Sequence, residues 1–327
     1  MQHSHVSPSP FPPPRSRAFR HDAVFYEGKR GFLHAVLPFV EAAVDRDEPV
    51  LVAVLPDREQ ALRAGLGVAS ARVEFVDMRS AGRNPARIIP VWREFLARHG
   101  CSGKPLNGVG EPVWAERTSA EIAECQRHES LLNLAFASAS SFALICPYDE
   151  AVLPADVLAA ARESHPHVVR HGKRRASSSY HGIDGIGESD RRPLPAAPGQ
   201  LPGLTFTAAD LAAVRRQIEG WAVAQGVEES RAADFSLAVH EAAVNSIRHG
   251  GGQGLLTTWT DGGAAVCEIA DSGVLRDPLA GRSLPAPEAG GGGRGLWLIN
   301  HLCDLVQIRA TAAGTVIRMH QGLRPGP

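Results

Sequence analysis

The amino-acid sequence predicts two domains of different fold class, an α/β domain with a parallel sheet followed by an α+β two-layer sandwich. In the first half, apolar strand-like runs alternate with amphipathic helices, and this pattern is typical of a parallel sheet covered by helices. A segment rich in Pro, Gly, Ser and charge then interrupts the pattern, and after it the helices come before most of the strands. A chain of 327 residues is long enough for two such domains, each with its own core.

The composition is that of a globular protein and excludes some classes of partner. Hydrophobic residues make up 44%, charged residues 21%, and the formal net charge is -1, so the overall charge gives no reason to expect nucleic acid or an anionic membrane as a partner. No apolar run approaches the ~20 residues that a membrane-spanning helix needs. The N-terminus also lacks the basic and apolar segments of a signal peptide. We therefore expect a cytoplasmic protein that contacts neither nucleic acid nor membrane directly.

The cysteines and histidines give little indication of a metal site. The five cysteines are odd in number and form no CxxC pair, so neither a disulfide framework nor a cysteine zinc site is expected. The 14 histidines mostly stand alone. After His240-Glu241, the position where a second zinc ligand of an HExxH motif would stand is Val244. The cysteines are interpreted as small buried apolar residues.

The first domain is predicted at residues 18–170, after a disordered tail at 1–17 that is rich in Pro, Ser and His. Its strands are expected at 23–26, 50–55, 73–77 and 142–146, and its helices at 31–45, 85–99 and 119–137. The strands are nearly continuous apolar runs, as in sheets buried on both faces. Residues 171–203 lack periodicity and are predicted to be a linker.

The second domain is predicted at residues 204–322. Its helices are expected at 208–225, 228–249 and 295–303, and its strands at 254–260, 264–271, 305–311 and 314–319. Long helices before hairpin-like strand pairs favour a two-layer arrangement with the helices on one face of a mixed sheet.

The first candidate site in this domain is the pair Glu241 and Asn245 inside the predicted helix 228–249. Residues four apart lie on the same helix face, one turn apart. The Asn245 amide oxygen could ligate Mg²⁺, and the Glu241 carboxylate could accept a proton from a hydroxyl or water that attacks a phosphate. The alternative is a solvated polar pair on a surface helix.

The second candidate is Asp271, which ends an apolar strand and is followed by Ser272 and Gly273. A carboxylate there can accept a hydrogen bond from the exocyclic amino group of adenine, while glycine lets the chain stay close to the base. The alternative is an ordinary turn at the end of a strand.

The third candidate is the glycine run 290–295, which leads into an apolar helix. Backbone N–H groups at such a helix start can face phosphate, assisted by the helix dipole. The run has no Gly-Lys-[Ser/Thr] and follows no strand directly, so it is neither a P-loop nor a dinucleotide fingerprint. The alternative is a flexible loop before a helix.

The last candidate is Thr315, in the final strand after Gly314. Its hydroxyl could point into the same pocket as the three other segments. Taken singly, Thr315 is better interpreted as an ordinary β-branched strand residue.

In this order and spacing, the four segments resemble the N, G1 and G2 boxes and the terminal Gly-Thr of the GHKL (Bergerat-fold) ATPases, over about residues 205–320. The tract Asp271-Ser-Gly-Val-Leu-Arg-Asp-Pro278 and the segment from Gly292 to Asp304 resemble most closely the bacterial anti-sigma-factor serine kinases. The resemblance implies that Mg-ATP binds here.

The same resemblance implies the roles of individual residues. Glu241 would be the catalytic base and Asn245 the Mg²⁺ ligand. The remaining cofactor-binding residues would be His249, Asp271, Gly273, Gly293, Arg294, Gly295, Leu296 and Thr315.

A histidine kinase is the competing hypothesis, because these enzymes share the ATPase domain. They need a phosphoacceptor histidine on a dimerising helix hairpin, typically His-Glu followed closely by proline. His128-Glu129 is the nearest candidate, but it lacks the proline and lies within the α/β pattern of the first domain.

Residues 20–169 resemble the MEDS sensory domain, a degenerate RecA-like module. The resemblance rests on three segments, at residues 21–26, 108–114 and 124–133. It implies a RecA-like sheet without a working P-loop, since Lys29-Arg30-Gly31 replaces the required Gly-Lys-[Ser/Thr]. Glu111 and Trp114 could line a ligand pocket. The alternative is that Trp114 is a core residue and that Glu111, His128 and Glu129 form a surface network.

Together these expectations describe a signalling regulator. A small-molecule or protein signal acts on the first domain, and the second phosphorylates serine on an anti-sigma antagonist, with the sigma factor as a further partner. Two alternatives remain: a nucleotide-gated partner-binding switch without turnover, and a histidine kinase ATPase module that uses a separate phosphoacceptor. The kinases that the second domain resembles are often dimers, so a homodimer is one expectation.

Overall fold

The chain folds into two compact units. The structure is a computed structural model that describes residues 18–182, 193–199, 201–283, 294–311 and 313–324. The first unit is bounded by Met1–Gly82 and Val91–Gly185, and the second by Arg83–Pro90 and Ile186–Pro327. The predicted tail at 1–17, part of the predicted linker and the glycine run up to Gly293 lie outside the described residues. Within the described ranges, no helix combines the length and the apolar character needed to cross a bilayer.

A sheet of seven strands forms the centre of the first unit. Its strands are β1 (Arg20–Tyr26), β2 (Val50–Val54), β3 (Glu74–Asp77), β4 (Leu106–Gly110), β5 (Phe142–Asp149), β6 (His167–Arg170) and β7 (Lys173–Ala176). The helices that alternate with these strands along the chain are α1 (Gly28–Asp45), α2 (Pro56–Leu66), α3 (Met78–Ala81), α4 (Ile88–His99), α5 (Ser119–Ala135) and α6 (Ala155–Ser164).

The strand order β3-β2-β4-β5-β1-β6-β7 is parallel except at one edge, where β7 runs antiparallel to β6. The prediction of an α/β domain with a parallel sheet is confirmed for the other six strands. Strand β7 lies inside the segment predicted as a linker, so the sheet extends past residue 170. Its sequence Lys-Arg-Arg-Ala is largely exposed and has no apolar pattern by which to recognise a strand.

Burial explains which strands the sequence reveals. Strands β1, β2 and β5 are buried along almost their whole length, as their continuous apolar runs predict. Helix α5 begins at a capping box, in which Thr118 accepts from the backbone of Glu121 and the Glu121 carboxylate accepts from the backbone of Thr118. Helices α2 and α6 occur where no element was predicted, and each buries only three residues.

The second unit is a two-layer sandwich of helices on a five-stranded sheet. Its strands are β8 (Leu204–Thr207), β9 (Gln253–Asp261), β10 (Ala264–Asp271), β11 (Leu305–Thr311) and β12 (Gly314–Gly322). Its long helices are α7 (Leu211–Ala224), α8 (Glu229–His249) and α9 (Arg294–Leu302). The α+β prediction is confirmed.

The sheet order is β11-β12-β10-β9-β8, and every neighbouring pair is antiparallel. The prediction of a mixed sheet was therefore wrong. The strand bounds leave only short connections from β9 to β10 and from β11 to β12, and short connections produce antiparallel pairs. Strand β8, which was not predicted, pairs with β9 at the opposite edge from β11.

The core of this unit lies between the sheet and the buried face of α8. That face carries Phe235, Val239, Ala242 and Ala243, which pack against apolar residues of β9, β10 and β12. Because these positions recur at helical spacing, the same helix presents Glu241 and Asn245 on a neighbouring face that is only half-buried.

Candidate functional site

A cleft of about 350 Å³ opens in the second unit beside helix α8 and strands β10 and β12. Seven of the ten predicted site residues line it, and apolar side chains complete its wall. The lining residues are Asn245, His249, Asp271, Gly273, Val274, Leu275, Ala280, Gly295, Leu296, Thr315 and Ile317.

Asp271 lies at the end of β10 with both carboxylate oxygens engaged. Its Oδ2 accepts a 2.6 Å hydrogen bond from Ser246 Oγ, and its Oδ1 accepts a 2.8 Å bond from Gly273 N. Each carboxylate oxygen has two lone pairs, so the group keeps acceptor capacity for a further donor in the cleft. The two internal donors hold the carboxylate in a fixed orientation before any ligand binds.

Close backbone approach around Asp271 requires glycine. A Cβ at Gly273 would lie 2.4 Å from the carbonyl oxygen of His249. A Cβ at Gly314, whose φ is +141°, would lie 1.9 Å from the carbonyl oxygen of Asp271. Both contacts are with backbone, which cannot rotate away as a side chain can. These glycines therefore let helix α8, strand β12 and the segment after β10 meet at one edge of the cleft.

Thr315 is buried and connects strand β12 to the chain that follows β10. Its Oγ1 donates to the carbonyl oxygen of Gly273 at 2.8 Å and accepts from Leu275 N at 3.3 Å. The hydroxyl thus shapes the cleft by fixing residues 273–275.

Glu241 and Asn245 lie beside Gly295 in the first turn of helix α9. A Cβ at Gly295 would lie 3.2 Å from both Glu241 Oε2 and Asn245 Nδ2. The structure therefore brings the carboxylate and the amide together with a helix start whose first N–H groups have no partner within the helix. In the sequence, Gly295 belongs to a different segment from Glu241 and Asn245, and the fold makes the three residues neighbours.

The remaining predicted residues have different positions. His249 and Leu296 line the cleft, with His249 exposed at the end of α8. Arg294 is exposed at the start of α9 and does not line the cleft. Gly293 lies outside the described residues.

Ser246 is a contact residue that the sequence analysis missed. It is fully buried on α8 and donates to Asp271 from the position that follows Asn245. A signal was present, because Ser246 falls on the apolar face of a helix, where a hydroxyl has to find an acceptor.

Three candidate residues of the first unit are buried, so the prediction that they form a surface network was wrong. Glu111, His128 and Glu129 are 3%, 1% and 1% exposed. Glu111 accepts hydrogen bonds from Tyr26 Oη at 3.1 Å and Leu55 N at 3.3 Å, and burial raises its pKa to about 7. Trp114 is half-buried and stacks on the Arg117 guanidinium, 3.6 Å from the ring centroid.

Comparison with known structures finds partial likenesses, among them two at low sequence identity. One is to the RsbU and RsbW domains of Rv1364c from Mycobacterium tuberculosis, at 22% identity and a TM-score of 0.28, over 38% of this chain and 34% of that one. The other is to the histidine kinase AdeS of Acinetobacter baumannii, at 10% identity and a TM-score of 0.24, over 39% of this chain and 70% of that one. The present chain thus spans about a third of the first of these.

Comparison with protein families identifies both parts of the chain. No curated protein sequence matches it. Residues 20–166 match the family described as MEthanogen/methylotroph, DcmR Sensory domain, or MEDS. Residues 204–321 match the histidine kinase-like ATPase domain. The resemblances to a MEDS domain and to a GHKL ATPase domain are confirmed, and the chain joins a MEDS sensory domain to a histidine kinase-like ATPase domain of the GHKL type.

Proposed function

We propose that the ATPase domain binds Mg-ATP in the cleft and transfers the γ-phosphoryl group to a serine hydroxyl of a partner protein. The observation that carries this proposal is the juxtaposition of Glu241, Asn245 and Gly295 beside a cleft that also contains Asp271. A carboxylate, an amide oxygen and free helix N–H groups supply a base, a hard-metal ligand and an anion site in one place.

The cleft suits a nucleotide at its Asp271 end. Asp271 accepts from the adenine amino group while Ser246 and Gly273 hold its carboxylate in place. Apolar side chains on the wall, among them Leu275, Leu296 and Ile317, offer a surface for the faces of the base. Because Gly273 has no side chain, the space beside Asp271 stays open.

At the other end, Asn245 would hold Mg²⁺ through its amide oxygen and Gly295 would leave room for phosphate. Mg-ATP supplies an electrophilic phosphorus and a leaving group. The Glu241 carboxylate accepts the proton of the attacking serine hydroxyl as the new O–P bond forms and the bond to ADP breaks. Positioning and electrostatic stabilisation then account for most of the catalysis.

Transfer to a separate protein is favoured over transfer to histidine within this chain. His128, the nearest candidate phosphoacceptor, is 1% exposed on α5. A group that must reach the γ-phosphate of another domain has to be accessible. Because residues 271–278 and 292–304 resemble the anti-sigma-factor serine kinases, we propose an anti-sigma antagonist as the substrate and the sigma-factor pathway as the output, with the MEDS domain receiving a small-molecule or protein signal.

The proposal is tested by incubating the full chain with labelled Mg-ATP and a candidate antagonist protein. We expect label on serine, stable to acid, and a loss of ~100-fold or more in transfer rate for Glu241→Gln, as is typical when a general base is removed. Glu229→Gln is the matched control, since Glu229 is exposed at the start of the same helix. It should transfer at the wild-type rate.

Other outcomes of the same assay distinguish the alternatives. Nucleotide that raises the melting temperature without any transfer or phosphate release would identify a nucleotide-gated binding switch. Label that is labile to acid and stable to base would identify a histidine acceptor. Equal transfer by wild type and Glu241→Gln would refute the catalytic role of Glu241.

A further inference from the structure

Four buried side chains with metal-ligating atoms converge in the MEDS domain, independently of the nucleotide cleft. They are His21 on β1, Glu129 on α5, Cys146 on β5 and His165, which directly follows α6. One ligating atom of each lies within 4.8 Å of the others. Each of these residues is at most 1% exposed. Burying ionisable groups costs free energy unless hydrogen bonds, opposite charges or a metal ion compensate for the lost solvation.

Three distances between ligating atoms of this cluster are close to those of a tetrahedral metal site, and the remaining ones are within 4.8 Å. His21 Nε2 lies 3.0 Å from Glu129 Oε2 and 3.3 Å from Cys146 Sγ, and His165 Nε2 lies 3.3 Å from Glu129 Oε2. Ligand atoms placed 2.0–2.3 Å from a tetrahedral zinc ion are about 3.3–3.6 Å apart. We propose that His21, Glu129, Cys146 and His165 bind a single zinc ion.

The hydrogen bonds of His21 leave its Nε2 available as a ligand. Its Nδ1 lies 3.2 Å from Asn133 Oδ1. The Asn133 amide is oriented by its Nδ2, which donates to the carbonyl oxygen of Ser164 at 2.8 Å. Oδ1 is therefore an acceptor, and His21 Nδ1 must carry the proton. In the neutral ring, Nε2 then presents a lone pair to the cluster.

His165 has the same arrangement. Its Nδ1 lies 2.7 Å from the carbonyl oxygen of Ala161, which only accepts, so Nδ1 carries the proton. Its Nε2 makes no hydrogen bond. Metal-ligating histidines usually donate their other ring N–H to a carbonyl or carboxylate, and this fixes the tautomer and ring orientation.

Without a cation, the cluster is electrostatically unfavourable. Two Nε2 lone pairs face the same carboxylate oxygen, Glu129 Oε2, and Glu129 Oε1 makes no hydrogen bond although it is buried. Protonating both imidazoles would place two positive charges on rings whose centroids are 4.0 Å apart. Like charges at this separation repel strongly in a buried site. A divalent cation would accept both Nε2 lone pairs and compensate the carboxylate charge while both imidazoles stay neutral.

The ligand set also suits zinc in charge and type. A Zn²⁺ ion bound to one thiolate, one carboxylate and two neutral imidazoles gives a site of zero net charge, which suits full burial. Mixed nitrogen, sulfur and oxygen ligands in a tetrahedron are typical of zinc. Binding displaces the Cys146 thiol proton to solvent as the Zn–S bond forms.

Four protein ligands make this a closed site that stabilises the fold. Its ligands join two adjacent parallel strands, β1 and β5, to helix α5 and to the start of the chain that leads into β6. Occupancy would therefore determine how firmly the centre of the MEDS sheet is held to its helices. The availability of the metal, or modification of the Cys146 thiol, would thereby alter the stability of this domain.

The proposal is tested on the full-length, untagged protein by elemental analysis and by X-ray absorption at the zinc edge. We expect one zinc per chain after dialysis, with one sulfur and three nitrogen or oxygen ligands. These measurements need no variant. Less than ~0.1 zinc per chain, both as purified and after refolding with zinc followed by dialysis, would overturn the proposal, as would a site without sulfur.

Cobalt substitution assigns the ligands. Co²⁺ in a tetrahedral site with a thiolate absorbs in the visible and gives a thiolate-to-metal charge-transfer band. We expect Cys146→Ser to lose this band and Cys267→Ser, a buried cysteine of the ATPase domain, to keep it. Glu129→Gln should keep the charge-transfer band, shift the visible bands and weaken metal binding by at least ~10-fold. A charge-transfer band that survives in Cys146→Ser would show that the metal binds elsewhere.

Discussion

Asp271 and Thr315 lie directly opposite each other on strands β10 and β12, and both fix the chain segment that leaves β10. Asp271 Oδ1 accepts from Gly273 N, while Thr315 Oγ1 donates to the carbonyl oxygen of the same glycine. Both backbone groups of Gly273, its N–H and its carbonyl oxygen, are thus hydrogen-bonded to these two side chains. The two side chains at this register position build the edge of the cleft together.

Replacing Thr315 with valine should destabilise the ATPase domain. Valine has nearly the same shape but cannot donate to the Gly273 carbonyl or accept from Leu275 N. Leaving such groups without their partner costs about 1–3 kcal/mol of unfolding free energy. Urea denaturation measures the loss. Thr258→Val, on strand β9 of the same sheet, is the control and should change stability by less than ~0.5 kcal/mol.

Replacing Gly314 with alanine should be more damaging. The new Cβ would lie 1.9 Å from the Asp271 carbonyl oxygen, and φ is +141°. Since neither backbone segment can move without breaking the β10–β12 pairing, we expect a loss above ~3 kcal/mol. Gly262→Ala is the matched control. Its φ is also positive, +56°, but nothing lies within 4 Å of the new Cβ, so it should cost ~1 kcal/mol. Equal losses for both variants, measured by thermal unfolding, would contradict the steric argument.

Replacing Asp271 with asparagine should weaken ATP binding and leave the fold intact. The amide retains one acceptor oxygen but loses the negative charge and one of the two acceptors that Ser246 and Gly273 now satisfy. A hydrogen bond to a charged group contributes about 1.5–3 kcal/mol, so the dissociation constant for ATP should rise about 10–100-fold. Isothermal titration calorimetry measures it. A variant that binds ATP as tightly as wild type would refute the role of Asp271.

The stability of the MEDS domain should fall as pH rises through neutrality because of Glu111. Burial raises its pKa to about 7 from an ordinary value of 4.5. A carboxyl with a raised pKa in the folded state contributes stability that is complete below about pH 4.5 and is lost as pH rises to about 7 and above. The shift corresponds to about 3 kcal/mol.

The Glu111 effect is measured as the difference in unfolding free energy between wild type and Glu111→Gln from pH 5 to pH 8. We expect wild type to become progressively less stable relative to the variant, whatever constant offset the lost Leu55 contact introduces. Glu116→Gln, a charge-neutralising change at an exposed position nearby, is the matched control. A pH-independent difference for Glu111→Gln would show that the carboxyl keeps an ordinary pKa.

Periodicity in the sequence predicted most of the regular structure. Strand β10 has the predicted bounds, and α8 begins one residue after the predicted start, because a long buried face and clear helix ends leave few alternatives. Helix geometry alone placed Glu241 and Asn245 on one face. Strand β7 and helix α2 were not predicted, since exposed, charged segments follow the rest of the fold and carry little pattern of their own.

By itself, the sequence determined the two fold classes and the four segments of the cleft, because strand and helix periods and glycine positions are local properties. Only the tertiary structure decided which side chains meet. Ser246 and Asp271 are 25 residues apart and share a hydrogen bond, and His21 and Glu129 are 108 apart. Such contacts depend on strand order and on how each helix packs against its sheet. Both depend on packing between residues that are far apart in the sequence, and the spacing of neighbouring residues does not reveal such packing.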